Sequence, residues 1–493
     1  MVYLGYPSRG CQLCRQKKVK CDEARPQCGR CISRGKTCPG YRDITALVFR
    51  SQNHSAEQKM KKLILQHGIS SSAPSAGPER KDSEVPRSCS IEPEYYAVNG
   101  FYGEYTVRTG YMRILDFLPE MCEKIAIPEC LQAALQATAL AAMAQRLARR
   151  DLLLRSRARF GMALRAVSRL IQNPSTAKDD SVLVSVFLLG MYEAINGESP
   201  PGTVWVSHMP GILALLKLRG KTQFQSRIGR GMARLMHYQI LIEACLGNCP
   251  VPEEMIAWAN AVDPRNPISF FTKLALNAAH QCGAIRAMVA SGRPLEQGNA
   301  IVLESMLNTS AMLESKMRTW SDMFTNNPQW RPLTIPNPSL AVSPADQGAP
   351  IEIQIFKNMD TVSILNICRT VRSHLCCDLL ALIEYLKQTG KALQPPHLLL
   401  KSYCERTTLL MAEDVCSSVP WILGEVNDCG KPMLVPKSQS INGYCLLWPL
   451  KQVLMSGGAS DWRRNWIRSK FDYIGTALGM KMATQIAREM RIE

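Results

Sequence analysis

Six of the chain's 19 cysteines lie within one short segment near the N-terminus, and their spacing constrains the fold more than any other feature. The segment reads CQLCRQKKVKC–DEARPQ–CGRCISRGKTC, so the pattern C-x2-C-x6-C occurs twice with an offset of seventeen residues. Its cysteines are Cys11, Cys14, Cys21, Cys28, Cys31 and Cys38. A C-x2-C pair places two thiolates on one face of a helix, close enough to share a metal ion. The spacing therefore predicts a metal-binding module.

The number of cysteines indicates how the metal would be held. A tetrahedral zinc ion needs four ligands, and each half of the repeat supplies three. Six thiolates can serve two zinc ions only if two of them bridge both metals, and the internal symmetry points to Cys11 and Cys28 as the bridging pair. The alternatives are a disulfide knot, which conflicts with a reducing compartment, and a single-zinc ribbon, which leaves two cysteines without a role. Few large apolar side chains surround the cysteines, so we expect metal binding to fold the module.

The distribution of charge separates this end of the chain from the rest. The whole chain carries a formal charge of +18, and residues 1–50 hold eleven basic and three acidic residues. A basic segment of this kind usually meets an anionic partner such as nucleic acid, a membrane surface or an acidic protein. The N-terminus lacks the apolar core of a secretory signal, and no window approaches the ~18 apolar residues of a membrane span. We therefore expect thiols and metal ligands rather than disulfides, and no membrane partner.

The cysteine segment resembles the fungal Zn2Cys6 binuclear-cluster transcription factors, in all six cysteines and in the basic run between the second and third. The resemblance implies two zinc ions bridged by the first and fourth cysteines, which agrees with the counting above. It also implies that the first half enters the DNA major groove and reads CGG-type triplets through Lys17 and Lys18. Arg15 and Lys20 occupy positions that the family uses for DNA or phosphate contact. From the residues alone, a short helix with four basic and no acidic side chains also suits major-groove and phosphate contacts.

The remainder of the chain predicts a mostly α-helical fold in three parts. Residues 1–42 form the Zn2Cys6 DNA-binding domain, residues 43–100 a flexible linker rich in Ser, Pro and charge, and residues 101–493 a large all-α regulatory domain. Within the linker, EQKMKKLILQH offers two amphipathic turns, which are too few for a stable coiled coil. We therefore expect any homodimer to form through the helical region.

The helical region carries none of the catalytic strings G-x-S-x-G, H-E-x-x-H or G-x-x-x-x-G-K-[ST], and we expect no enzyme activity. Cys376 and Cys377 are interpreted as core thiols, and Cys245 with Cys249 lacks further ligands for a metal site. Two stretches, at 159–220 and 443–487, resemble the regulatory domain called the fungal-specific transcription factor domain. The segment CPGYRDITALVF, at the end of the cysteine module, is also similar to the CPGYxDxxxLVF pattern found in filamentous-fungal members of this class of transcription factors.

Together these features predict a nuclear, DNA-binding regulator of RNA polymerase II genes. Its partners would be double-stranded DNA with CGG-type triplets and the transcription machinery. The alternative is a helical small-molecule sensor or an enzyme-like domain that uses the zinc module only as a tether or interaction surface.

Overall fold

The computed structural model confirms a mostly helical protein with a small cysteine module at its N-terminal end. The chain divides into two compact units, Met1–Ser88 and Cys89–Glu493. The structure describes residues 10–41, 92–107, 113–123, 126–197, 204–247, 249–260, 267–292, 297–341, 348–388 and 392–490. Most of the predicted linker lies outside these ranges, including the segment EQKMKKLILQH.

The first unit contains two short helices, α1 (Gln12–Gln16) and α2 (Gly29–Ile32). The helices of the second unit's first half are α3 (Pro93–Tyr105), α4 (Leu118–Cys122), α5 (Glu129–Leu147), α6 (Arg150–Ile171), α7 (Pro174–Ala177), α8 (Asp180–Asn196), α9 (Val204–Arg219), α10 (Arg227–Cys245) and α11 (Glu253–Asn260). Those of its second half are α12 (Pro267–Ala290), α13 (Gln297–Asn326), α14 (Met359–Gln388), α15 (Pro395–Ile422), α16 (Ser440–Met455), α17 (Asp461–Thr476) and α18 (Lys481–Glu489). Two short 3-10 helices are also present, one directly after α9 at Gly220–Phe224 and one between α13 and α14 at Pro338–Ala341.

Several helix ends follow from local sequence signals. Helix α6 stops before Asn173, whose side-chain oxygen accepts a hydrogen bond from the N–H of Ser175 at 2.9 Å and so starts α7. Helix α8 begins at Asp180, where acidic side chains favour the positive end of a helix. Helix α9 ends at Arg219, and Gly220 follows with a φ of +57°, a conformation that suits glycine. These boundaries agree with the sequence pattern.

Two features differ from the sequence expectation. Helix α3 begins at Pro93, inside the predicted linker, because Ala97 and Phe101 bury one helical face against the core. The sequence also indicated an irregular, Pro-rich segment over residues 327–350, where the structure has the strand β1 (Leu333–Pro336). It pairs antiparallel with β2 (Glu352–Ile355), which lies just beyond the segment. Four-residue strands leave little alternation to detect, and Pro336 at a strand end argued against a strand.

The first half of the helical unit is organised around α5. This helix packs against α3, α6 and α8, and most of its residues are buried. Alanines dominate its buried face, which lets neighbouring helices approach closely. Thr138 ties α5 to α8, because its hydroxyl donates to the Leu188 carbonyl at 2.9 Å. Among the described residues, no helix combines the length and apolar character needed to cross a bilayer.

Two histidines of the helical unit, His237 and His374, make its stability depend on pH. Burial lowers the pKa of His374 to about 3 and that of His237 to about 4. His374 also accepts a hydrogen bond from the Trp448 indole N–H at 3.2 Å, which requires a neutral ring nitrogen. Both imidazoles are therefore neutral in the folded protein at pH values where the unfolded chain binds protons.

We expect the free energy of unfolding to fall as the pH drops below the unfolded histidine pKa of about 6.5. Each histidine should remove about 1 kcal/mol between pH ~6.5 and ~5.5, because the unfolded state binds the extra proton. Urea denaturation across this range measures the loss, and His374→Gln, which keeps an acceptor but cannot titrate, should reduce the slope. An unchanged slope in His374→Gln would contradict this explanation.

Candidate metal centre and nucleic-acid interface

The two halves of the cysteine module are built in the same way. Cys11 is the N-cap residue of α1, and its sulfur accepts a hydrogen bond from the N–H of Cys14 at 3.5 Å. Cys28 holds the same position in α2, where its sulfur accepts from the N–H of Cys31 at 3.4 Å. The sequence repeat is thus a structural repeat of two short helices, each started by a cysteine.

The six sulfur atoms form two overlapping groups. Cys11, Cys14, Cys21 and Cys28 make one group, and Cys11, Cys28, Cys31 and Cys38 make the other, each with all sulfurs within 4.8 Å of one another. Cys11 and Cys28 belong to both groups, and their Sγ atoms are 3.6 Å apart. The structure therefore brings all six cysteines together. The two that belong to both groups, Cys11 and Cys28, are the pair that the sequence symmetry indicated as bridging.

The spacing of the sulfurs suits zinc. Four thiolates at Zn–S distances of about 2.3 Å around a tetrahedral ion lie about 3.8 Å from one another. In this module, Cys11 and Cys31 are 3.8 Å apart and Cys14 and Cys28 are 3.9 Å apart, measured between Sγ atoms. Five of the six cysteines are buried, so the donor set is compact and consists of sulfur alone.

The thiols differ in how readily they ionise. Burial, together with neighbouring thiols, raises the pKa of Cys14 to about 12. The backbone N–H of Cys11 points at the Cys21 sulfur from 3.5 Å and lowers the pKa of Cys21 to about 7. A zinc ion stabilises thiolates electrostatically, and its affinity for this set would fall with pH as the cysteines are protonated.

Lys18 occupies an unusual backbone position at the end of α1. Its φ is +53°, in the left-handed region, and the N–H groups of Lys18 and Val19 bond back to the carbonyls of Arg15 and Cys14. This is a Schellman motif, in which glycine is the usual left-handed residue. The second half has glycine at the equivalent place, seventeen residues later: Gly35 has a φ of +65°. The first half thus keeps a lysine where the backbone favours glycine.

The structure places the four predicted DNA-contact residues on and after α1. Lys17, Lys18 and Lys20 are exposed. Arg15 is half-buried, and its Nε donates to the Gly10 carbonyl at 2.8 Å, which orients the guanidinium. Three exposed lysines and one anchored arginine therefore lie along a short stretch of the module.

Basic residues of the second half converge on the first. A shallow depression of about 20 Å³ between the halves is lined by Lys17, Arg30, Arg34 and Lys36, together with apolar and cysteine side chains. Arg30 Nη1 also donates to the Lys20 carbonyl at 3.2 Å, which holds the halves together. The sequence alone did not indicate that Arg30, Arg34 and Lys36 would meet Lys17.

Asp22 is a structural residue of the module that the sequence analysis overlooked. Its Oδ2 accepts a hydrogen bond from the N–H of Gly29 at 2.7 Å, at the start of α2. A Cβ at Gly29 would lie only 2.6 Å from that oxygen, so the close approach requires glycine. The sequence signal for this contact is an acidic residue a few positions before the Cys-Gly pair at which α2 begins.

The six clustered thiols and the basic residues beside them define a class of protein with a small, basic, metal-binding module. Residues 9–46 match the family model described as the fungal Zn(2)-Cys(6) binuclear cluster domain, and residues 105–247 match the fungal specific transcription factor domain. The chain therefore carries a fungal Zn(2)-Cys(6) binuclear cluster domain and a match to the fungal specific transcription factor domain, which together cover less than half of its length. The second match includes the stretch 159–220 singled out in the sequence, whereas 443–487 lies beyond it.

Relatives with curated descriptions support the same family. The chain is 26% identical over 227 residues to a phomenoic acid biosynthesis cluster-specific transcriptional regulator of Leptosphaeria maculans, covering 43% of this chain and 42% of that protein. It is 46% identical over 48 residues to an aspercryptin biosynthesis cluster-specific transcription regulator of Emericella nidulans, covering 10% and 8%. It is 43% identical over 44 residues to white-opaque regulator 2 of Candida albicans, covering 9% and 10%.

These similarities are partial. The matches span less than half the length of each of these relatives. No solved structure matches the chain. Within the described residues, the two sulfur groups are also the only sets of three or more His, Cys, Asp or Glu side chains arranged to hold a metal, and Cys245 and Cys249 do not join such a set.

Proposed function

We propose that this chain is a nuclear transcription factor of RNA polymerase II genes that binds CGG-like DNA elements through a two-zinc, six-cysteine module. The observation that carries the proposal is the pair of four-sulfur groups sharing Cys11 and Cys28. Six thiolates arranged in this way offer four ligands to each of two zinc ions. The family, and relatives named as transcriptional regulators, support the same role.

The position of the lysines supports DNA recognition. Lys17 and Lys18 lie at the C-terminal end of α1, the end from which the backbone turns sharply. The left-handed turn fixes where the Lys18 side chain leaves the backbone, and lysine donates hydrogen bonds to guanine O6 and N7 in the major groove. Arg15, Lys20 and the depression lined by Lys17 and Arg34 would contact phosphates and set the register.

The left-handed conformation of Lys18 allows recognition to be tested apart from folding. Lys18→Ala removes the ammonium group and keeps the strained backbone, whereas Lys18→Gly removes the ammonium group and relieves the strain. We expect both variants of the 1–50 fragment to lose about 1–3 kcal/mol of binding to a CGG duplex and most of the preference over a scrambled duplex. Lys18→Gly should be the more stable of the two, by about 1 kcal/mol.

Fluorescence anisotropy on CGG and scrambled duplexes at several salt concentrations measures both effects. Lys36→Ala is the matched control, because it removes one exposed lysine of the second half, and it should weaken both duplexes alike and lower the salt dependence. Equal weakening of both duplexes by the Lys18 variants would make Lys18 a phosphate contact. Failure of the wild-type fragment to prefer CGG would favour the alternative in which the module is only a tether.

A single module covers one triplet, so high affinity would require a second module or additional contacts. We place the contact between two copies in the helical region, and the transcription machinery is the partner that its role as a regulator implies. For the enzyme alternative the helical region offers none of the three catalytic strings named above, and outside the cysteine module the described residues hold no set of side chains arranged to bind a metal.

A further inference from the structure

Helix α15 presents four leucine side chains to solvent. Leu398, Leu399, Leu409 and Leu410 are between 50% and 73% exposed. The other side of the helix, which includes the buried Cys404, packs against α14, β2 and α16. Single exposed apolar residues are common on protein surfaces, but two adjacent pairs on one helix form an apolar patch of the kind that marks a contact with another macromolecule.

The exposed side of α15 has the spacing of a coiled-coil seam. Six exposed residues lie along one line and alternate in steps of four and three residues: Pro395, Leu399, Ser402, Arg406, Leu409 and Glu413. This alternation keeps side chains in register with a partner helix, and Leu398 and Leu410 flank the line. An isolated coiled coil needs about three or four heptads to be stable. Helix α15 is already folded by its packing in the unit, so a shorter seam can serve here.

The leucines are arranged symmetrically about Cys404, which points to a second copy of this chain as the partner. Leu399 and Leu409 are each five residues from Cys404, and Leu398 and Leu410 are each six residues from it. In an antiparallel pair of α15 helices centred there, each leucine pair of one copy would face the other leucine pair of its mate. A two-fold contact requires such mirrored positions, because residue i contacts j while j contacts i. A contact with an unrelated protein makes no such demand.

The polar centre of the seam is also complementary to itself. Ser402 and Arg406 are each two residues from Cys404, so the same antiparallel pairing places the Ser402 hydroxyl of one copy opposite the Arg406 guanidinium of the other. The hydroxyl can accept a hydrogen bond from the guanidinium, and the two-fold axis provides this contact twice. The polar residues at the centre therefore favour one register, while the leucines at both ends supply apolar contact.

We propose that two copies of this chain dimerise through α15, packed antiparallel about Cys404. The inference rests on the proposed function, in which the contact between copies lies in the helical region. A seam of six residues per copy is smaller than the roughly 20–30 residues a side of a standard interface. The dimer therefore dissociates on dilution, and a DNA duplex with two triplets stabilises it by holding both copies.

Charges introduced on either side of the seam test the pairing in the full chain. Leu399→Lys places two unpaired ammonium groups in the contact, and Leu409→Glu places two unpaired carboxylates there. We expect each single variant to be monomeric over a concentration series in which the wild type dimerises, as measured by sedimentation velocity. With both substitutions in one chain, each lysine faces a glutamate of the other copy, and the dimerisation constant should return to within about tenfold of the wild type.

Leu154→Lys is the matched control. Leu154 on α6 is 58% exposed and lies outside the seam, so this variant adds the same charge to an exposed leucine and should dimerise as the wild type does. Circular dichroism shows whether each variant is folded. Retained dimerisation in both single variants would overturn the α15 contact and leave a homodimer through another part of the helical region. A double variant that is folded but monomeric would overturn the antiparallel pairing.

A wild-type chain that stays monomeric at every concentration, with and without a duplex carrying two CGG triplets, would overturn both this proposal and the proposed homodimer. The leucine face of α15 would then belong to a contact with a different protein. The CGG preference is measured on the 1–50 fragment, which lacks α15, so none of these outcomes bears on DNA recognition by the cysteine module.

Discussion

Removing zinc from the cysteine module is expected to unfold it, the largest effect predicted for this protein. A 1–50 fragment should bind two zinc ions, lose its structure on chelation and refold when zinc returns. Structural zinc contributes about 10–16 kcal/mol of apparent binding free energy in small zinc modules. This module has few apolar side chains, so zinc binding supplies most of its stability. Within residues 10–41, the buried hydrophobic side chains are five of the six cysteines, and the partly buried Leu13, Val19, Cys21 and Tyr41 pack against them.

A matched pair of cysteine variants tests the shared-sulfur arrangement. Cys28 belongs to both sulfur groups, so Cys28→Ser should prevent tight binding of both ions. Cys38 belongs to one group only, so Cys38→Ser should keep one ion, held by Cys11, Cys14, Cys21 and Cys28. Native mass spectrometry gives the zinc content and circular dichroism gives the fold. A wild-type ratio of one zinc per fragment, or equal losses in the two variants, would contradict the arrangement.

Breaking the buried ion pair between Glu314 and Arg372 should have the next largest effect. Arg372 on α14 places Nε at 2.8 Å and Nη2 at 2.7 Å from Glu314 Oε1 on α13. Tyr403 on α15 donates to the other carboxylate oxygen at 2.5 Å, so three long helices meet at one carboxylate. The side chains of Arg372 and Glu314 are only 7% and 3% exposed. Removing the arginine would leave a buried carboxylate without its counter-charge.

We expect Arg372→Met to lower the free energy of unfolding by about 3–5 kcal/mol, measured by urea denaturation of the full chain with far-UV ellipticity. The double variant Arg372→Met with Glu314→Leu should recover most of this loss, because no buried charge then remains unpaired. Arg169→Met is the control. It breaks the exposed pair with Glu129, whose side chains are 67% and 61% exposed, and it should cost less than about 1 kcal/mol. A loss as small as the control's would mean that water reaches Glu314.

The metal site and the class of fold could be predicted because they depend on short sequence separations. Cys11 and Cys14 are one helical turn apart, and the same is true of Cys28 and Cys31, so local geometry alone brings each pair together. The helical pattern also depends on neighbouring residues, and α6, α8 and α9 end where their capping signals lie. The short strands β1 and β2 escaped detection because four residues give too little pattern.

The sequence by itself determined the six-cysteine repeat, the basic character of the segment from Arg15 to Lys20 and the helical nature of the large unit, because each follows from residues close together in the chain. Only the tertiary structure decided that Lys17 lies beside Arg34, that Glu314 meets Arg372, and that Lys18 takes the place of a glycine in its turn. Such contacts depend on how helices pack, and one chain's pattern of apolar and polar residues is compatible with many packings.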